Sequence, residues 1–189
     1  MKIVRDWLFV ILFVSNIPAS AGSNGATFGG FESKTGKGQI SFSSPGYELS
    51  HISKDGAPFI KPEMEGAGSK SEPGQPDLPT MSTYYAVEAG KTFTINTSIK
   101  ESEVIENVEV VPFETWDSQP TGVIGKGAAY QQSSSFPANI ATVSDPMVFR
   151  DIVMVQVSVT PFQYNPVSKT LTVIHEIDLE LVESGEIEF

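Results

Sequence analysis

Apolar and polar residues alternate in two segments near the C-terminal end, and this pattern constrains the fold more than any other feature. In residues 153–159 every second residue is a valine. In residues 171–181 the residues of one parity, apart from His175, are Leu, Val or Ile, and the other parity is mostly Thr, Asp and Glu. Successive side chains of a strand point to opposite faces of a sheet, so this period predicts two half-buried β-strands.

The sequence that joins these segments, TPFQYNPVSKTLTV at residues 160–173, contains a turn signal at Asn165 and Pro166. Pro fixes φ near the value that the second position of a β-turn requires, and Asn at the first position accepts a local hydrogen bond. We therefore expect the two strands to form one long C-terminal hairpin with a single apolar face. A register shift of one residue would expose the whole apolar set, so the turn also fixes the pairing.

Weaker alternation continues through residues 81–87, 91–99 and 105–113, and short strands are expected on both sides of the Lys-Asp-Gly turn at 54–56. Residues 65–80 are too rich in proline and glycine for a helix or a central strand, and residues 114–148 have no periodicity and are expected to form a long loop region. Short strands separated by turn signals predict an all-β fold, an antiparallel β-sandwich.

The N-terminus has the order of a secretory signal peptide. Lys2 and Arg5 precede an unbroken apolar run at residues 7–14, and Ala19-Ser20-Ala21 provides a small-residue cleavage site after Ala21. The run is too short to span a bilayer, which requires about 20 apolar residues. We expect a bacterial protein that is secreted, periplasmic or on the cell surface, with no membrane contact after signal cleavage. The predicted organisation is a signal peptide at 1–21, a Gly- and Ser-rich lead-in at 22–44, one sandwich domain at 45–183 and a linker or tail at 184–189.

Composition excludes several classes of function. The chain has no cysteine, so disulfides, thiolate metal sites and a catalytic thiol are absent from it. His175 and Glu176 do not continue into a zinc-peptidase motif, because position 179 is leucine. No Gly-x-Ser-x-Gly elbow or nucleotide-binding fingerprint is present. A net charge of -11 argues against nucleic acid and anionic lipid as partners. We therefore expect a chain that is not an enzyme and needs no metal or cofactor.

Three aromatic residues, Trp116, Tyr130 and Phe136, lie in the long loop region. They could line a sugar-binding face, and such residues more often anchor a loop onto a core. A free-standing secreted β-sandwich that serves as an adhesion or carbohydrate-binding module is therefore one hypothesis for the function.

Three blocks resemble the propeptides of gingipain-type cysteine peptidases. Residues 145–182 contain a Val-rich strand, the turn Gln163-Tyr164-Asn165-Pro166 and a returning strand, as at the end of those proregions. The family motif G-x-P-x-L-P is matched by Gly74, Pro76, Leu78 and Pro79. The segment YELSHISKDGAPFI is similar to the entry segment of the family. The sequence departs from the family at Lys169, where glycine is common, and at Ile174, where an aromatic residue is usual.

The resemblance implies a proregion that helps a cysteine-peptidase catalytic domain to fold and blocks its active site until cleavage. The partner is then the catalytic domain of a gingipain-type peptidase, in cis or in trans. Either the chain is the front of a longer precursor or it is a stand-alone relative. Where such a peptidase cleaves after basic residues, a loop lysine or arginine would enter its acidic pocket. Lys126, between Gly125 and Gly127, is our first candidate for this contact, and Arg150 is the second.

Overall fold

The computed structural model describes residues 29–34, 38–54, 56–114 and 125–187. Within these ranges the regular structure is almost entirely β, with one 3₁₀ turn at Ala128–Gln131. The strands are β1 (Phe31–Ser33), β2 (Gln39–Ser43), β3 (Glu48–Lys54), β4 (Ala57–Glu63), β5 (Gly68–Ser69), β6 (Pro79–Ala86), β7 (Lys91–Ile105), β8 (Ala141–Val143), β9 (Met147–Phe149), β10 (Ile152–Val159), β11 (Phe162–Asn165) and β12 (Thr170–Glu186). The strands pair antiparallel, which confirms the predicted fold class.

Strand β12 is the centre of the first five-stranded sheet. One of its edges pairs with β11 and then with β2, and β1 pairs with the far side of β2. The other edge of β12 pairs with β7 over almost its whole length. The register shifts between Ile174 and Glu176, which places a β-bulge at His175.

Strand β10 is the centre of the second five-stranded sheet. It pairs with β6 on one edge and with β8 and β9 on the other, and β5 pairs with β6. Strands β3 and β4 form a separate hairpin around the predicted turn.

The two large sheets share one hydrophobic core, as expected for a sandwich. The predicted apolar residues of β12 in the first sheet are buried, and so are three of the four predicted valines of β10 in the second sheet, Val155, Val157 and Val159. Each such Val or Leu contributes about 1.5–3 kcal/mol relative to an exposed side chain. This hydrophobic core stabilises the domain, which has no cysteine and therefore forms no disulfides.

The C-terminal hairpin is shorter on its first side than we expected. β11, not the Val-rich β10, pairs with β12 around the Asn165-Pro166 turn. β10 belongs to the other sheet, and the chain changes sheets at Thr160 and Pro161. Proline has no N–H to continue a ladder, while the Pro161 carbonyl accepts a hydrogen bond from Ile174 N at 2.8 Å. The valines of β10 therefore face the apolar residues of β12 across the core instead of lying beside them.

Part of the lead-in forms strands of the first sheet, because β2 lies between β1 and β12 and buries Ile40 and Phe42 completely. The expected strand at 105–113 does not form. β7 continues to Ile105, Asn107 has φ 58°, and the following residues form only isolated bridges to β4 and to Pro76. The predicted signal peptide and its cleavage site lie outside the described residues.

Candidate functional site

Lys126 lies immediately after the part of the long loop region that is outside the described residues. Its ammonium group forms an ion pair with Glu109. The same nitrogen lies 5.4 Å from the centre of the Phe59 ring and 5.6 Å from that of Tyr130, which is within the range of cation–π attraction. The side chain is still 42% exposed, so a partner can reach it from outside the domain.

Glu109 forms ion pairs with two lysines. Lys169 Nζ lies 3.0 Å from Glu109 Oε2, in addition to the pair with Lys126. The hydrogen bond from Lys126, followed by that from Lys169, lowers the pKa of the Glu109 carboxyl below its usual value. No sequence signal distinguishes Glu109 from the other acidic residues near it. Lys169 has φ 54°, a conformation that favours glycine.

The family motif residue Gly74 joins the two ends of the loop that leads to Lys126. Its N–H donates to Phe113 O at 3.1 Å, and its carbonyl accepts from Gly127 N at 2.8 Å. Phe113 N in turn donates to Gln75 O at 2.7 Å. Gly74 has φ 83°, and a Cβ on it would lie 2.9 Å from Gly125 O. We call residues 74–75, 113 and 125–127 the loop base.

The rest of this motif fixes the loop base to the sandwich. Pro76 forms an isolated bridge with Pro112, Leu78 is buried in the core, and Pro79 begins β6. The motif therefore holds the loop base against the sandwich, and its side chains face the protein interior and not the outer surface.

The second motif holds the other end of the segment that begins at Lys126. Gln163 Nε2 donates to Pro137 O at 2.9 Å, and Asn165 Nδ2 donates to Ser133 O at 2.6 Å. Tyr164 and Phe136 exchange two backbone hydrogen bonds of 2.8 Å. Asn165 Oδ1 also accepts from the N–H groups of residues 167 and 168 at 3.1 Å, as its place before Pro166 predicted. Both motifs thus position residues 125–137 on the domain.

Two tyrosines pack beneath this segment. The rings of Tyr130 and Tyr164 meet edge to face at 6.1 Å, and their hydroxyls donate to Val110 O at 2.8 Å and Val108 O at 3.3 Å. Burial raises the pKa of Tyr164 to about 12 and raises that of Tyr130 as well. Tyr130 and Phe136 pack against the core, which is the anchoring role that the sequence favoured over a sugar-binding face. Trp116 lies outside the described residues.

Arg150 lies at the turn between β9 and β10, and the structure does not bring it to Lys126. It has φ 56°, and its guanidinium lies 5.7 Å from the centre of the Phe149 ring. None of the ion pairs among the described residues involves Arg150.

Another polar cluster lies at the bulge of β12. Glu103 Oε1 accepts from the Tyr47 hydroxyl at 2.6 Å and lies 3.1 Å from His175 Nε2. The hydrogen bond to Glu103 raises the pKa of Tyr47 to about 12.

Across the described ranges, no group of three or more His, Cys, Asp or Glu side chains could hold a metal ion. The same ranges contain no helix that is long and apolar enough to cross a membrane.

Comparisons with known proteins found a matching family model, related sequences and similar folds. The family model Propeptide_C25 matches residues 31–186. Gingipain R2 of Porphyromonas gingivalis is 34% identical over 127 residues, which cover 61% of this chain and 16% of the relative. Gingipain R1 of the same organism is 35% identical over 122 residues, which cover 61% of this chain and 12% of the relative. The chain therefore spans less than a fifth of the length of these curated relatives.

Two solved structures have the same fold. The complex of the pro- and mature domains of RgpB from Porphyromonas gingivalis contains a chain that matches with a TM-score of 0.67 and 25% identity, over 85% of this chain and 84% of that one. A structure that concerns the zymogenic latency of gingipain K from the same organism matches with a TM-score of 0.62 and 21% identity, over 80% of this chain and 90% of that one.

Proposed function

This chain belongs to the C25 propeptide family, and we propose that it binds the catalytic domain of a gingipain-type cysteine peptidase and keeps that domain inactive until the propeptide is cleaved. The observation that carries the proposal is the family match over residues 31–186, which covers almost all of the described domain. The likeness to the chain in the RgpB complex adds support, because that structure contains a prodomain together with its mature domain. The chain itself is a non-catalytic proregion.

Lys126 is the residue that we propose to enter the active-site cleft of the peptidase. The loop base supports this role, because Gly74 ties the two ends of the loop together and so presents Lys126 from a fixed position. The pair with Glu109 supports it too. A partly exposed ion pair contributes only about 0–1 kcal/mol, so an acidic pocket in the peptidase can compete with Glu109 for the ammonium group. Arg150, our second candidate, lies in a different part of the fold.

Inhibition of this kind needs only moderate affinity when the two domains are in one chain. A tethered domain has an effective concentration near 1 mM. A micromolar dissociation constant would then keep about 99.9% of the active sites blocked. Cleavage of the linker and dilution would release the peptidase without further chemistry.

We also propose that the protein acts outside the cytoplasm, as a secreted, periplasmic or cell-surface protein. The order of basic residues, apolar run and small residues in 1–21 supports this location. N-terminal sequencing of the exported protein should begin at Gly22 if cleavage follows Ala21.

An inhibition assay tests the proposed function. Residues 22–189 are purified and titrated into the mature gingipain-type peptidase from the same source. We expect reversible inhibition that ends as the propeptide is digested. A folded propeptide that neither binds nor inhibits the peptidase would refute the proposal.

Two lysine variants test the role of Lys126. Lys126→Ala is expected to weaken inhibition at least tenfold, because a charge in a specificity pocket is lost. Lys100→Ala is the matched control, since Lys100 is a similarly exposed lysine of β7 that pairs with Asp178 on β12. Equal inhibition by the two variants would show that Lys126 is not the blocking residue, and the inhibitory function would stand on other contacts.

A further inference from the structure

The tip of the β9–β10 hairpin, residues 147–152, exposes an unusual number of large apolar side chains. Met147 is 39% exposed, Val148 55%, Phe149 46% and Ile152 37%. Single exposed apolar residues are common on protein surfaces. Four within six consecutive residues form a contiguous patch, and such patches mark contact sites more often than open surface.

Both faces of this tip are apolar. Phe149 of β9 lies opposite Ile152 of β10, and the adjacent pair is Val148 opposite Val153. Cross-strand partners lie on the same face of a hairpin, and adjacent pairs lie on opposite faces. A hairpin that only covered the core would need one apolar face. Phe149 and Ile152 on one face and Val148 on the other are each at least 37% exposed, so burial against another molecule is the arrangement that would take them out of water.

The turn at the tip holds a charged residue in a conformation that favours glycine. Arg150 has φ 56°, which is uncommon for a residue with a side chain. Its guanidinium lies over the Phe149 ring at 5.7 Å, so the cation and the apolar patch form one surface. A partner that fits this surface has an apolar depression with a carboxylate near its edge.

The tip and the last described residue lie at the same end of the domain. Val87 N donates to Val153 O at 2.9 Å at the base of the β9–β10 hairpin, and Ile187 N donates to Gly90 O at 3.0 Å. Three residues span at most about 11 Å, so residues 87 and 90 are close. In a precursor of the proposed kind, a catalytic domain that follows this chain would be tethered beside the tip.

We propose that the β9–β10 tip is a second docking surface for the catalytic domain of the peptidase, separate from the loop that carries Lys126. The inference rests on the proposed function, because that function supplies the partner. β10 rises about 23 Å over its eight residues, and the segment that holds Lys126 is fixed near the far end of this strand. Contact at both ends would orient the propeptide so that the loop meets the active site.

The test measures binding separately from inhibition. The variant Phe149→Ser/Ile152→Ser removes the apolar pair, and Arg150→Gly removes the cation while keeping a residue that accepts positive φ. Dissociation constants are measured for the peptidase with its catalytic cysteine replaced by alanine. We expect the double variant to bind at least tenfold more weakly and Arg150→Gly to bind several-fold more weakly. Val104→Ser, which changes a valine on β7 that is 59% exposed, is the control and should bind like the wild type.

Amide hydrogen exchange of the unmodified propeptide gives a second readout that does not depend on how the variants fold. Residues 147–152 should exchange more slowly in the complex than in the free chain. Unchanged exchange at the tip, or equal affinity of the double variant, Val104→Ser and the wild type, would overturn the second docking surface. If Lys126→Ala still weakened inhibition of the active peptidase in the inhibition assay, the proposed function would survive that result. A wild-type chain that did not bind the peptidase would refute both.

Discussion

Replacing Gly74 with alanine should destabilise the domain and its loop base together. The residue has φ 83°, and a left-handed conformation costs a residue with a Cβ about 1–2 kcal/mol. The new Cβ would also lie 2.9 Å from Gly125 O and 3.1 Å from Gly127 N, both backbone atoms. These atoms must move, which strains the hydrogen bond between Gly127 and Gly74. We expect a loss of about 2–4 kcal/mol in the free energy of unfolding.

Gly56→Ala separates the two causes. Gly56 has φ 77°, and a Cβ there would meet no described atom within 4 Å. This variant should lose only the conformational part, about 1–2 kcal/mol. Urea unfolding followed by intrinsic fluorescence gives both values, and the dependence of the free energy on urea concentration should be unchanged.

The same pair of variants links the loop base to function. Gly74→Ala should inhibit the peptidase more weakly than Gly56→Ala at a temperature at which both are folded, because only Gly74 contacts the residues that flank Lys126. If the two variants lost equal stability and inhibited equally, the argument that Gly74 fixes the loop would be refuted.

Three other changes have defined outcomes. Glu109→Gln should cost about 0.2–1 kcal/mol per lysine pair near neutral pH. Those pairs lower the pKa of Glu109 in the folded protein. The stabilisation that the Glu109 carboxylate contributes is therefore complete above its unfolded pKa near 4.5 and is lost as pH falls through its folded pKa. The difference in stability between Glu109→Gln and the wild type should accordingly shrink in acid. Asn165→Ala should cost about 1–3 kcal/mol, since it removes the acceptor of two turn N–H groups and the donor to Ser133, with Val167→Ala as a control in the same turn. Tyr164→Phe should cost about 0.5–1.5 kcal/mol, and an ultraviolet titration should lose a phenol that ionises near pH 12.

The faces of the strands were predictable from local pattern. The alternating residues of β12 and of β10 are buried as their parity required, because the pleat of a strand fixes direction from one residue to the next. The turn at Asn165 and Pro166 was predictable for the same local reason, as Asn165 accepts hydrogen bonds from the two residues after the proline. The resemblance of the two motifs to gingipain propeptides could be stated without knowing what the motif residues contact.

The pairing of the strands required the tertiary structure. A period of two shows which side of a strand is buried, and it does not show whether the next apolar strand lies beside it or across the core. β10 and β12 satisfy the pattern in the second way, because the chain changes sheets at Pro161.

The candidate site shows the same division. From the sequence we predicted an all-β proregion without cysteine and singled out Lys126 between two glycines. The contact of Lys126 with Glu109, 17 residues away, and the closure of the loop base by Gly74 are visible in the folded domain and not in the sequence. Ion pairs and close backbone contacts depend on distances between segments that are far apart in the chain, and no local propensity encodes those distances.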